Sequence, residues 1–479
     1  EVTSIMNRSH ISTMPTPSSR RPWSSTLALL STVALLLAGT FGASPAFAQQ
    51  PQQITFDEAV RIALEQNISL QQAENQSELS SINVSRARMN FFPDLSFSTS
   101  TNQNYGRNFS QGEGRIISQS TQSLSLGASA GINIFNGFND VATLQQARLN
   151  REAGELDVDR ARQTVVFNVI SDYLTLIADR EQIKVREQNL ASVQRQLEQI
   201  QEFTRVGARP ISDLYQQQAA VANAELQLLQ AQQQYQLAES ALIQVLRLDP
   251  FQPYQFTAPP VDSLDLAPRR YELDNLLRNA YDQRPDLQAS EAGLKAARQG
   301  VRAARSSYFP RVGLNFSYGS GWSSVGEDPI TRAYMPFWEQ LDSRRGGGIG
   351  FSLSVPIFDR FTTRNNVQQA RVQYENARLE RESVRQGIAV QVRQAYLDYQ
   401  TAQKSVDVAR AQVESAQLAL NAAQERYDLG AATLLEVAQA RTVFVEAQSQ
   451  QVQARYDLLF REKLIDYYLG ALDPRQPLF

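Results

Sequence analysis

The chain has 479 residues, 20% of them charged, a formal net charge of −3, no cysteine and a single histidine, His10. That composition excludes disulfides, zinc–thiolate and Fe–S sites and a thiol nucleophile, and it confines imidazole chemistry to the extreme N-terminus. The weak and dispersed acidic balance excludes nucleic-acid binding, which needs a basic stripe, and the residue types point away from a cofactor and from most enzymes.

Arg20 and Arg21 precede an apolar run from Leu27 to Ala38, followed by Ala46-Phe47-Ala48 and the polar Gln49-Gln50. A charged start, a short apolar core and an A-x-A site predict a secretory signal peptide over 1–48, cleaved at Ala46 and Ala48. The apolar run falls well short of the ~20 residues a spanning helix needs. The numbering starts at Glu1, with Met6 and Met14 the candidate initiators. The remaining chain is therefore expected to be exported, and to enter a membrane only as strands.

Residues 49–248 read as one structural repeat. A helix from Thr55 to Asn90 is predicted to end before Pro93 of Phe91-Phe92-Pro93, because proline and the residue before it leave the helical region. Two strands follow, one from Leu95 onward and one from Ser123 to Phe135. In the second, Leu124, Leu126, Ala128, Ala130, Ile132 and Ile134 alternate with Ser, Gly and Asn. The loop between them, Asn104 to Thr121, is expected on the cell exterior. A helix from Val141 to about Thr204 would span about 95 Å at 1.5 Å per residue. It ends at Val206-Gly207-Ala208, and a return helix carries Leu214, Val221, Leu228, Tyr235 and Leu242 at heptad spacing, the mark of a coiled-coil seam.

Asp249 to Arg270 holds five prolines and reads as a linker, 249–270. Beyond it, 271–472 repeats the first pattern, with 473–479 left as a tail. Ala63 and Leu70 recur as Ala280 and Leu287, and Phe91-Phe92-Pro93 as Tyr308-Phe309-Pro310. Ile134-Phe135-Asn136-Gly137-Phe138 recurs as Ile357-Phe358-Asp359-Arg360-Phe361, and Val206-Gly207-Ala208 as Leu429-Gly430-Ala431. The offset lengthens once, between the Pro and Ile-Phe motifs, so the second copy has a longer loop there, Ser320 to Arg345. Val312 to Tyr318 and Ile349 to Ile357 are its strands. In its long helix, Tyr399, Val406, Val413, Leu420 and Tyr427 form one heptad line, and Ala402, Ala409, Ala416 and Ala423 the other.

Strands of about ten residues with a small polar face and aromatics at their ends have the pattern of a transmembrane barrel. Four such strands cannot close a barrel, and unpaired edges cannot face lipid. The chain is therefore expected to oligomerise, a trimer giving twelve strands. Met89 and Met335 are the only methionines past the leader, which with no cysteine and one histidine speaks against a metal relay.

The ordered set of motifs, spanning Thr55-Phe56-Asp57-Glu58-Ala59 to Gly470-Ala471-Leu472, resembles the outer-membrane efflux protein family that TolC typifies. The resemblance implies a homotrimer with a transmembrane β-barrel in outer-membrane lipid and an α-helical barrel in the periplasm. Its role would be the passive exit duct of a tripartite efflux or type I secretion system, fed by an inner-membrane pump through a periplasmic adaptor (membrane fusion) protein. Many members carry a lipid on an N-terminal cysteine, which this chain lacks. The alternatives are a periplasmic coiled-coil adaptor, which should have one hairpin inside a β-rich domain, and a structural coiled coil without a channel.

The resemblance also implies site residues. The tips Val206, Gly207, Ala208 and Arg209, and Leu429, Gly430 and Ala431, would dock the adaptor. The family's paired acidic rings map to Glu436 and Gln439, so one ring is missing. Its closing latch maps to Tyr427 and Asp213, while its arginine position is Ala432, so that half is lost unless Arg209 substitutes. Thr433-x-x-Glu436 is at the same time a capping box, worth about 1 kcal/mol, and Asp213 suits the first turn of a helix electrostatically.

Overall fold

The computed structural model describes residues 52–110, 114–257, 269–328, 330–331 and 333–472. The leader with Ala46 and Ala48, most of the linker, and the tail 473–479 lie outside the described residues.

Each repeat opens with a broken helix rather than the single one expected. In the first, α1 (Phe56–Gln66) and α2 (Ile68–Met89) meet at Asn67. The Asn67 carboxamide accepts the backbone N–H groups of Ser69 at 3.0 Å and Leu70 at 3.2 Å, so a side chain replaces the interrupted helical bonds. In the second, α5 (Leu273–Gln283) and α6 (Pro285–Arg305) meet at Arg284, with Pro285 at the first helical position, where its missing N–H costs nothing. A parallel pair, β1 (Gln52–Thr55) with β4 (Tyr254–Thr257), lies ahead of each broken helix. Tyr254–Thr257 falls within the stretch read as linker. Only Ile54 and Phe256 point inward from these short strands, too little pattern to register in sequence.

The four barrel strands are β2 (Asp94–Ser110), β3 (Arg115–Phe135), β5 (Arg311–Ser323) and β6 (Gly346–Ser354). They form one antiparallel sheet in the order β2-β3-β5-β6. The register lines up Leu95, Ala130, Phe316 and Ile349 across all four strands, and beside them Ser96, Ser129, Ser317 and Gly348. One face is thus apolar and exposed, the other small and polar, as in a sheet with lipid on one side and water on the other. The stretch from Asn104 to Thr121 is no open loop: Asn104–Ser110 pairs with Arg115–Thr121, continuing the hairpin. The alternation persists there only through Tyr105, Phe109 and Ile116, diluted by Asn, Gln, Ser and Gly. β6 stops at Ser354, short of Ile357, since Pro356 has no N–H for a ladder.

The longer second loop is folded. Its short helix α7 (Phe337–Ser343) carries Gln340, whose buried amide accepts from Ser323 N at 2.9 Å and donates to Ser323 O at 3.0 Å and Met335 O at 2.7 Å. One glutamine thereby satisfies three backbone groups and ties the loop to the end of β5.

The long helices α3 (Asn139–Arg205) and α8 (Thr362–Asp428) have 67 residues each, and the return helices α4 (Ile211–Leu246) and α9 (Leu434–Leu469) have 36 each. The duplication is thus kept to the residue. Ala402, Ala409 and Ala416 are buried, as the alanine line predicts. In α3 the heptad positions Leu176, Ile183, Leu190 and Leu197 also recur in sequence, but the buried seam near the tip runs through Val193, Gln196 and Ile200, and Leu190 and Leu197 are only half-buried. The main core lies about halfway along the rods, where Val165, Val169, Ile170 and Tyr173 of α3 meet Phe56 and Ala59 of α1, with Ile54 and Phe256. The equivalent belt in the second repeat centres on Ile388, Val392 and Tyr399. Among the described residues no helix is long and apolar enough to cross a membrane.

Candidate functional site

The far ends of the two hairpins form the candidate site, and both turn in the same way. After α3, Gly207 (φ 76°) donates to Thr204 O at 3.1 Å and Ala208 donates to Phe203 O at 2.8 Å. After α8, Gly430 (φ 75°) donates to Tyr427 O at 2.9 Å and Ala431 donates to Arg426 O at 2.7 Å. These paired bonds close the last helical carbonyls, and their left-handed residue favours glycine. The turns leave Val206 and Leu429 projecting, 65% and 85% exposed. Two aliphatic side chains are thus left uncovered at the ends of the rods.

The tips also touch each other. Ile200, Tyr427, Leu434 and Val437 bury a small apolar cluster where the first hairpin meets the second. Tyr427 is its polar edge. Its hydroxyl donates to Asp213 Oδ2 over a long 3.4 Å, and its backbone carbonyl accepts from Arg209 Nη2 at 2.7 Å. The Arg209 guanidinium lies 4.1 Å from the centre of the Tyr427 ring. Burial pushes the Tyr427 hydroxyl pKa up, only partly offset by Arg209 and reinforced by Asp213, so the phenol stays protonated and can donate. Arg209 thus reaches both the carbonyl and the ring of Tyr427 from the opposite hairpin.

Glu436 is not a bare carboxylate. Its N–H donates to Thr433 Oγ1 at 3.3 Å and its Oε1 accepts from Thr433 N at 3.2 Å, the reciprocal pair of a capping box. Its Oε2 lies 3.4 Å from Arg426 Nη1, and Arg426 Nη2 donates to Ala431 O at 3.1 Å. Arg426 thus spans the turn from α8 to the start of α9. Sequence reasoning missed it, because its place beside Glu436 appears only once the hairpin is folded back. Gln439 stands exposed one turn further on, so the structure joins Tyr427, Asp213 and Arg209 into one group and leaves Glu436 and Gln439 in another.

The outer membrane efflux protein family matches over residues 59–246 and 276–471, one match per repeat. The chain is similar to the pyoverdine export outer membrane protein OpmQ of Pseudomonas aeruginosa, 27% identical over 70% of this chain and 67% of that protein. It is similar to the outer membrane protein TolC of Escherichia coli, 23% identical over 74% of this chain and 76% of that one. In fold it superposes on the crystal structure of the Campylobacter jejuni CmeC outer membrane channel with a TM-score of 0.73 at 20% identity, covering 88% of this chain and 87% of that one. With both repeats matched across most of the sequence, the chain belongs to the outer membrane efflux protein family.

Proposed function

We propose that three copies of this chain close into one duct, with the four-stranded sheets making a twelve-strand barrel in the outer membrane and the helical hairpins a tube in the periplasm. The chain is an outer-membrane efflux channel rather than an enzyme. The observation that carries the trimer is the sheet itself: one face is apolar and exposed, and among the described residues both edges, β2 and β6, are open. Open edges in lipid cost several kcal/mol for each unpaired group, so each edge needs a second copy. Cargo would arrive from an inner-membrane pump through a periplasmic adaptor, as in tripartite efflux or type I secretion.

The adaptor would dock at Val206, Gly207, Ala208 and Arg209 and at Leu429, Gly430 and Ala431. Exposed Val206 and Leu429 between small residues leave room for a partner's apolar tip and support this reading. The duct would narrow at the level of Glu436, Gln439, Asp213 and Tyr427. Membrane fractionation with crosslinking tests the assembly: a detergent-extracted trimer in the outer membrane is expected, and a monomer in the periplasmic wash would overturn it. Glu in place of Ala208 and Ala431 should abolish adaptor crosslinking while trimers persist, and unchanged crosslinking would remove the docking surface.

A further inference from the structure

A cavity of about 280 Å³ lies above the tip cluster, walled by α3 and α4 of the first hairpin and by α9 of the second. Its chemistry is unlike that of the alanine-lined seams around it. Arg186 of α3 and Arg441 of α9 both line it, and among the described residues no carboxylate lies within ion-pair distance of either guanidinium. Glu446 also lines it but is itself exposed and engages neither arginine. One donor of Arg186 is held by Gln227 Oε1 at 3.1 Å, which fixes that side chain. Arg441 has no such tie, and burial lowers its pKa with no neighbouring charge to offset the cost. Arginine keeps its proton in proteins, so this part-buried cation carries its charge without a charged partner inside the cavity.

Two further atoms point the same way. Gln196 is 5% exposed, and its Nε2 donor is buried without a hydrogen-bond partner. The Oδ1 acceptor of Asn189, about two turns of α3 away on the same wall, is buried and equally unpartnered. The neighbouring amide is different: Gln217 has a partner, donating to Val193 O at 2.8 Å. The unmet needs of the cavity are therefore one negative charge, one acceptor for Gln196 and one donor for Asn189.

We propose that this cavity binds a small oxyanion bearing its own O–H, of the hydrogen-phosphate or hydroxycarboxylate class. The negative oxygens face Arg441, Arg186 and Gln196, and the hydroxyl donates to Asn189. Because the ligands come from both hairpins, a bound anion joins the first hairpin to the second. The volume falls just below the usual range for ligand pockets, suited to a small polyatomic ion and too tight for a drug-sized molecule.

The test is isothermal titration of the purified full-length protein in detergent with inorganic phosphate, with malate and with sulfate, at constant ionic strength. Saturable binding of phosphate or malate at one site per protomer is expected, and whichever binds tighter tells a mineral oxyanion from a hydroxycarboxylate. Arg441→Gln and, separately, Gln196→Leu should each weaken binding at least tenfold. If Arg441→Gln fails to assemble, Gln196→Leu decides alone. Sulfate, which has no O–H, should bind at least tenfold more weakly. No saturable binding, unchanged affinity in the variants, or sulfate binding as tightly as phosphate would each overturn the assignment. The first of those results is also what a carboxylate from a neighbouring protomer filling the site would give.

Discussion

Arg209 lies over Tyr427, its guanidinium 4.1 Å from the ring centre while it donates to the same residue's carbonyl at 2.7 Å. The contact joins the turn of the first hairpin to the last helical turn before the second. A cation–π contact contributes about 0.5–2 kcal/mol, and a charge-assisted hydrogen bond about 1.5–3 kcal/mol. The Tyr427 hydroxyl bond to Asp213 is longer, at 3.4 Å, and contributes less. Arg209→Ala should therefore loosen the tips more than Tyr427→Phe, which keeps the ring. In bilayer recordings the expected order of conductance is Arg209→Ala, then Tyr427→Phe, then the parent protein. Equal conductance in all three would show that this contact does not restrict the duct.

Glu436 and Arg426 form an opposed pair at 3.4 Å, with both side chains substantially exposed. Its contribution to stability is at most about 1 kcal/mol, but its effect on ion flow is separable. Glu436→Gln keeps a capping side chain and removes the carboxylate, so cation selectivity should fall with trimer stability nearly unchanged. Arg426→Gln removes the charge that offsets Glu436 and should raise cation selectivity. Reversal potentials in a salt gradient read both. Thr433→Ala, by contrast, removes the cap and should cost about 1 kcal/mol without moving the reversal potential.

The duplication, the strand alternation and the hairpin turns were legible because each rests on local periodicity. What escaped the sequence depends on one side chain meeting backbone far from it. Asn67 breaks a helix that propensity would continue, because its carboxamide caps the next one. Gln340 looks like any surface glutamine until the loop folds around it. The outer half of the first hairpin hid behind polar residues, since its strands extend past the membrane-facing pattern. At the tips the Tyr427–Asp213 contact came from family resemblance, whereas the reach of Arg209 and Arg426 needed the folded turns.

The break between α5 and α6 depends on a buried charge. Arg284 is 3% exposed, and its fork bonds both Asp286 oxygens while Nη1 donates to Gln391 at 2.7 Å on α8. Burial raises the Asp286 pKa, but the Arg284 fork and the Arg160 charge outweigh it and hold the carboxyl below its ordinary value. A depressed carboxylate pKa stabilises the fold above the unfolded value and loses that contribution as pH falls through the folded one. Arg284→Ala should cost about 3 kcal/mol, the low end for a broken buried pair because Asp286 retains some solvent. Arg284→Lys keeps the charge without the fork and should fall between. Urea titration at pH 7 measures both, and the gap between parent and Arg284→Ala should narrow toward pH 3.

Asp172, in the middle of α3, has the opposite sign. Burial alone raises its pKa, so ionisation there costs the folded state. For an acid raised on folding, the native state binds more protons between the two pKa values, and stability rises as pH falls through that window. Asp172→Asn removes the cost at neutral pH. The variant should melt higher than the parent at pH 7, and the advantage should shrink as pH drops and Asp172 takes up its proton. A lower melting temperature at pH 7 would show instead that the carboxylate makes a favourable contact in the assembled protein.

Gly137 and Arg360 hold the same place in the two repeats, both with a left-handed backbone, φ 68° and 55°. Their surroundings differ. A Cβ on Gly137 would meet the carbonyl of Ser306 and come within 2.8 Å of Phe309 Cβ, at the aromatic-Pro corner of the second repeat. The corner is pinned there by Ser306 Oγ donating to Asn139 Oδ1 at 3.3 Å. Within one chain the first repeat thus closes tightly on the second. Arg360 would meet the matching corner, Met89 to Phe92, only in the next copy of a closed ring. Gly137→Ala adds about 1 kcal/mol of left-handed strain to a collision with backbone that cannot yield, and should sharply lower the yield of assembled trimer. Arg360→Gly relieves the same strain without opening that corner, so its trimer yield should equal or exceed the parent's. Native gel electrophoresis of extracted outer membranes reads the two side by side. Normal assembly of Gly137→Ala would mean that the junction between the repeats is far looser than these contacts require.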